Sequence, residues 1–191
     1  MAEREIVIAG LIGSLRRVSL NRWLYDAAVE LAPSGMQLIE ASIGELPHYN
    51  DDIDMDGGPP AAKVFRQQIA GADGLLFVTP EFNYSIPGAL KNAIDWASRP
   101  TGRSVIYGKP AAVMGAAAGR SGSMRAQMHL RQIFVPLNIQ GLNKPEIIVT
   151  FAREKFDADG LLIDEDLRAQ VTAQMFAFKS WIELLKLNPQ S

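Results

Sequence analysis

The segment Gly13-Ser14-Leu15-Arg16-Arg17-Val18-Ser19-Leu20-Asn21 gathers residue types that can hold an anion: hydroxyls at Ser14 and Ser19, an amide at Asn21 and a guanidinium at Arg16. An arginine fork can chelate two phosphate oxygens, a geometry that lysine does not reproduce. If a strand ends at Gly13 and a helix starts near Asn21, backbone N–H groups at the helix start would surround the same anion. The same residues allow another reading, in which Ser19 or Asn21 only caps the helix while Arg16 and Arg17 lie in solvent.

Two further segments carry suitable chemistry. Pro80-Glu81-Phe82-Asn83-Tyr84-Ser85 crowds polar and aromatic groups together. Such a loop can offer hydrogen bonds to the polar edge of a flavin ring and flat contact to its face. It can equally be an ordinary turn, with Pro87 in the first turn of a helix and Tyr84 on the surface. Gly115-Ala116-Ala117-Ala118-Gly119-Arg120 is small enough for a backbone to approach a ring closely. Arg120 would either attract an anionic nicotinamide cofactor or be a solvated loop charge.

Several other chemistries fail on composition or spacing. The chain has no cysteine, which removes disulfides, thiolate catalysis and Cys-ligated metal sites. The first loop lacks Gly-x-Gly-x-x-Gly, the mark of a tightly held dinucleotide. Gly102 to Pro110 misses the P-loop by one residue of spacing and by Pro110, which stands where magnesium needs a hydroxyl. Gly119-Arg120-Ser121-Gly122-Ser123 lacks the last glycine of a nucleophile elbow. His48 and His129, the two histidines, are read as structural or solvated. Redox chemistry would therefore need a bound cofactor.

These loops need elements to position them. Ile6 to Ile12 is an almost continuous apolar run, as expected of a parallel strand buried on both faces. Leu24, Ala27, Ala28 and Leu31 have helical spacing within Asn21 to Leu31, and Pro33 and Gly35 end that helix. The unit recurs as strands Met36 to Ala41, Gly74 to Thr79 and Ala111 to Ala116 with helices Ala61 to Ala70, Gly88 to Ala97 and Ser123 to Phe134. Ile147 to Val149 supplies a fifth strand. Leu167, Val171, Met175, Phe178, Ile182 and Leu185 mark a long amphipathic helix. The alternation predicts an α/β fold with right-handed crossovers and helices on both faces. Asp51 to Pro60 and Arg153 to Asp159 are expected to be exposed loops.

A chain of 191 residues, 48% hydrophobic and 21% charged, suits one soluble domain over 1–191. A net charge of -2 leaves no broad basic field for nucleic acid. The start Met-Ala-Glu-Arg-Glu does not resemble a secretory signal, and no apolar run is long enough to span a bilayer, so a cytoplasmic location and no membrane partner are expected.

Taken together, the motifs resemble the NADPH-dependent FMN reductase family, in particular its bacterial quinone and chromate reductase branch. The resemblance spans nearly the whole chain. It rests on Gly13-Ser14-Leu15-Arg16 with Ser19-x-Asn21, on the Pro80 to Ser85 segment with Lys91-Asn92-Ala93-Ile94-Asp95-Trp96, and on Arg125-Ala126-Gln127 through His129-Leu130-Arg131-Gln132. It implies a flavodoxin-like, doubly wound sheet of five parallel strands in the order 2-1-3-4-5, with bound FMN and NADPH or NADH as electron donor. The acceptor would be a quinone or similar small molecule, and the assembly a homodimer that can pair into a homotetramer.

The resemblance assigns Gly13, Ser14, Arg16, Ser19, Leu20 and Asn21 to the phosphate, and Pro80, Glu81, Phe82, Asn83, Tyr84 and Ser85 to the flavin side. Gly115, Ala116, Ala117, Gly119 and Arg120 would flank the ring. No side chain is assigned as a strict catalytic residue and none as a metal ligand. Phe82 and Met128 stand where relatives often carry tyrosine. The second change would alter a tetramer contact involving Arg125, Tyr84 or Glu146. The rival reading is a flavodoxin-like electron carrier or flavin-binding protein that does not turn over NAD(P)H.

Overall fold

The structure, a computed structural model, describes residues 4–187. Its centre is strand β1, Ile6–Ile12, flanked by β2 (Met36–Glu40) and β3 (Gly74–Val78), both parallel to it. Strand β4, Pro110–Ala116, follows β3, again in parallel. The fifth position holds two short pieces. β5, Gln140–Gly141, pairs with the start of β4, and β6, Ile147–Val149, pairs with its end. Pro145 lies between them, where it has no N–H to give to a ladder. The order is 2-1-3-4-5, the flavodoxin-like arrangement expected from the sequence.

Alternation along the strands divides the apolar residues between two layers. Ile8 and Ile12 of β1, Leu76 and Val78 of β3, and Met114 of β4 face helices α1 (Leu20–Glu30) and α5 (Glu165–Leu187). Ala9, Leu11, Leu75, Phe77 and Val113 face α2 (Pro60–Gly71), α3 (Gly88–Ser98) and α4 (Met124–Phe134). Both faces of the sheet are buried under helices, which explains why the strands look uniformly apolar in sequence. Among the described residues no helix is long and apolar enough to cross a membrane.

Two expected loops prove more structured. Asp51 to Pro60 contains two 3-10 turns, and Asp54 leaves the exposed surface to form a two-pronged ion pair with Arg66 of α2, at 2.6 and 2.7 Å. Arg66 also donates to the carbonyls of Trp96 and Gly57. The second correction concerns Arg153 to Asp159, part of which is a 3-10 turn, Ala152–Lys155, with Ala152 and Phe156 buried on either side.

Candidate active site

The three loops leave the carboxyl ends of β1, β3 and β4. Gly13 extends the β1–β3 pairing by donating to the carbonyl of Val78 at 2.9 Å. A Cβ there would lie 3.2 Å from both Pro80 and Thr79, so glycine lets the first loop press against the second. Ser19 caps α1, its hydroxyl oxygen accepting from the N–H groups of Asn21 and Arg22. The first turn of α1 contains no acidic residue, which leaves its positive dipole end uncompensated. The Ser14 hydroxyl oxygen accepts from the N–H of Arg16 at 3.4 Å. Among the described residues the exposed Arg16 guanidinium has no hydrogen bond or ion pair. Arg22, by contrast, is held by both oxygens of Glu40 at 2.6 Å.

Asn21, which lines the cavity, also carries a structural bond. Its side chain is buried; Nδ2 donates to the carbonyl of Ala116 at 2.9 Å, and Oδ1 accepts from the N–H of Ala116 at 3.0 Å. The amide therefore ties the start of α1 to the end of β4 instead of standing free for an anion.

The second loop is a tight two-residue turn. Phe82 and Ser85 exchange backbone hydrogen bonds at 2.9 Å, and Asn83 and Tyr84 between them have φ of 49° and 66°. Two consecutive left-handed residues match the turn that suits strand twist. Glu81 fastens this turn to α4. Its carboxylate accepts from Arg125 Nε at 2.6 Å and from the N–H groups of Arg125 and Ala126 at 3.0 and 3.4 Å. Burial pushes the Glu81 carboxyl up, but the Arg125 hydrogen bond and the two backbone donors outweigh it, and it lies below the usual carboxylate range. Arg125 stacks over Tyr84 at 3.7 Å, and His129 Nδ1 lies 3.1 Å from the Ser85 hydroxyl.

Gly115 is closely packed against its neighbours. A Cβ there would sit 2.0 Å from the Ser123 hydroxyl and 2.3 Å from the carbonyl of Thr79, so its empty side makes room for packing rather than for a ring. Ala117 exchanges backbone hydrogen bonds with the end of β6, donating to Val149 and accepting from Ala152.

These pieces enclose an open cavity of about 620 Å³, within the usual range for small-molecule sites. Ser14, Arg16, Ser19, Leu20 and Asn21 line one part; Pro80, Glu81 and Phe82 line another, and Ala116 and Ala117 a third. The expected residues Gly13, Asn83, Tyr84, Ser85, Gly115, Gly119 and Arg120 are not on its wall. Uncommitted cation and hydroxyl donors beside a helix start, with apolar walls beyond, fit a phosphoester that carries a flat ring.

Comparison with known proteins decides the family. The model of the NADPH-dependent FMN reductase family matches residues 6–154. The chain belongs to that family. An NAD(P)H-dependent FMN reductase of Pseudomonas aeruginosa is 48% identical over 182 residues, covering 95% of this chain and 98% of the relative. A 2-hydroxy-1,4-benzoquinone reductase of a Burkholderia species is 46% identical, covering 92% and 95%. The structure of FerB, a flavoenzyme NAD(P)H:(acceptor) oxidoreductase of Paracoccus denitrificans, superposes with a TM-score of 0.87 at 38% identity, covering 93% of this chain and 97% of that one. FMN is thus the cofactor and a nicotinamide nucleotide the donor, as the motif resemblance implied.

Within this FMN reductase, sequence reasoning missed part of the cavity wall: Trp23, Arg153, Phe156, Asp157 and Ala158. Trp23 meets Phe156 ring to ring, with centroids 5.7 Å apart. Trp23 falls one helical turn from Ser19 and Leu20, a spacing that could have pointed to it. The 153–158 stretch carried no such local signal. Of the residues tied to a tetramer contact, Arg125 and Tyr84 engage one another within the chain, and Glu146 pairs with Lys144 at 2.8 Å.

Proposed function

We propose that this FMN reductase passes electrons from NAD(P)H to quinones or similar acceptors in a ping-pong cycle, one cavity serving donor and acceptor in turn. Held there, FMN would supply hydride transfer through its N5, by which NAD(P)H, a proton and a quinone would become NAD(P)⁺ and a hydroquinone. The chain's own task is to bind and align. Arg16 and the hydroxyls of Ser14 and Ser19 hold the phosphate beside the positive end of α1. Pro80, Phe82, Ala116 and Ala117 offer contact surface to the ring, and Glu81 keeps their loop against α4. No side chain need act as nucleophile.

The observation that carries this reading is the free Arg16 guanidinium beside an uncompensated helix start in a cavity of about 620 Å³. The proposal takes the chain as one FMN-binding domain. It also takes the enzyme to be cytoplasmic and to form a homodimer that can pair into a tetramer. Exposed Phe82 and Tyr84 on the second loop and exposed Met128 on α4 support such association. The test is spectroscopic: the purified protein should show a flavin spectrum that NADPH bleaches and a quinone restores. A flavin spectrum that NADPH leaves unchanged would refute turnover and favour an electron carrier.

A further inference from the structure

Arg153 and Arg16 both line the cavity, from different loops. Arg153 follows β6 on a turn built to hold its place. Phe151, a bulky residue, takes left-handed backbone angles of φ 47° and ψ 39°, a conformation that persists only when neighbours impose it. Two hydrogen bonds do so: Phe151 N–H to the carbonyl of Gly119 at 3.1 Å, and Ala152 N–H to that of Ala117 at 3.0 Å. Fully buried Ala152 and nearly buried Phe156 anchor the turn on both sides of Arg153.

The same backbone locates the start of α1. Asn21 is bonded in both directions to Ala116, and Ala117, the next residue, holds Ala152. Arg153 therefore stands a short chain of hydrogen bonds from the helix start where a phosphate would sit.

Charge balance points the same way. The cavity wall carries two acids, and neither pairs with Arg16 or Arg153. Glu81 is held by Arg125 and the start of α4, and Asp157 Oδ1 accepts from the N–H groups of Asp159 and Leu161 at 3.0 and 2.8 Å. The wall also carries two guanidiniums, Arg16 and Arg153, and among the described residues neither has a hydrogen-bonded or ionic partner. A phosphate monoester is close to a dianion near neutral pH, so one arginine leaves it incompletely matched.

We infer that Arg153 is a second guanidinium for the FMN phosphate, closing on it from the β6 side while Arg16 closes from the β1 side. The inference rests on the FMN reading above. It makes Arg153 a binding residue with no part in hydride transfer, since it meets the phosphate end of the cofactor rather than the ring.

Equilibrium dialysis of the full chain against FMN and, separately, riboflavin tests this. Arg153→Ala should weaken FMN by about tenfold and leave riboflavin unchanged, because riboflavin lacks the phosphate. Arg16→Ala should show the same selectivity, and Arg103→Ala, on an exposed segment away from the cavity, should show no effect. The dependence of FMN affinity on salt should be shallower in Arg153→Ala than in the parent chain. An equal loss for FMN and riboflavin would overturn the phosphate assignment. If Arg153→Ala binds FMN as the parent does, this inference fails while the FMN reading stands; if the parent chain binds no FMN, both fail.

Discussion

Replacing Asn21 with alanine separates a strut from a ligand. In the folded protein its amide satisfies both backbone groups of Ala116, which is itself buried. Alanine would leave a buried N–H and a buried C=O without partners, and each such loss costs about 1–3 kcal/mol. Some relief is available because the cavity wall runs beside both residues and water can enter it. A loss of about 3 kcal/mol is therefore expected, or a fall in Tm of about 6–12 °C for a chain of this size. Urea denaturation of the FMN-free protein should show a lower midpoint with an unchanged slope, the mark of a pure stability change. Working without FMN matters, because a bound cofactor adds stability by mass action and would mix the two effects. Asn21→Asp should do little better than alanine. It keeps an acceptor for the Ala116 N–H but sets an oxygen against the Ala116 carbonyl. An Asn21→Ala protein of parental stability that no longer retains FMN would refute this reasoning and return Asn21 to the list of phosphate donors.

Other residues give independent tests. Glu81→Gln should cost about 1–2 kcal/mol at pH 7, since it weakens a half-exposed pair with Arg125 while keeping shape and acceptor. The folded Glu81 carboxyl lies below its usual value, so its contribution is complete above the unfolded pKa of about 4.3 and fades as pH falls through the folded value. Urea midpoints of parent and variant should therefore converge below about pH 4, and a gap that stays constant from pH 7 to pH 3 would contradict the assignment. Arg66→Met should cost about 3–5 kcal/mol because it strands the buried carboxylate of Asp54, with Asp54→Asn in the same chain restoring part of the loss. Strictly additive losses in that double-mutant cycle would show that the pair is not coupled.

The strands were legible in the sequence for a physical reason. A parallel sheet covered on both faces makes runs such as Ile6–Ile12 apolar without interruption, and the loops that follow must begin with small or turn-forming residues. The fifth strand was legible only in part. Ile147–Val149 has the apolar signature, but Gln140–Gly141 is two residues long and polar, with nothing local to mark it. Asp51 to Pro60 looked like a solvated loop because its composition is that of one. The ion pair that draws Asp54 inward depends on Arg66, which lies on a different element, and local composition carries no trace of it.

The site divides along the same line. Loop residues that face an anion and loop residues that hold the loops together are drawn from the same polar types, so composition places both in the cavity region without telling them apart. Partners tell them apart. Asn21 is answered by Ala116, far along the chain, and Glu81 by Arg125, so both act as struts. Arg16 and Arg153 meet no acid among the described residues, although acidic side chains share their cavity. Arg22, Arg66, Arg125 and Arg168 pair with carboxylates, and Arg17 and Arg120 meet no acid among the described residues but lie off the cavity wall, so it is an unanswered guanidinium on that wall that supports the anion proposal. That contrast is invisible in a sequence, where the arginines look alike, and the proposal that Arg16 and Arg153 hold the phosphate rests on it.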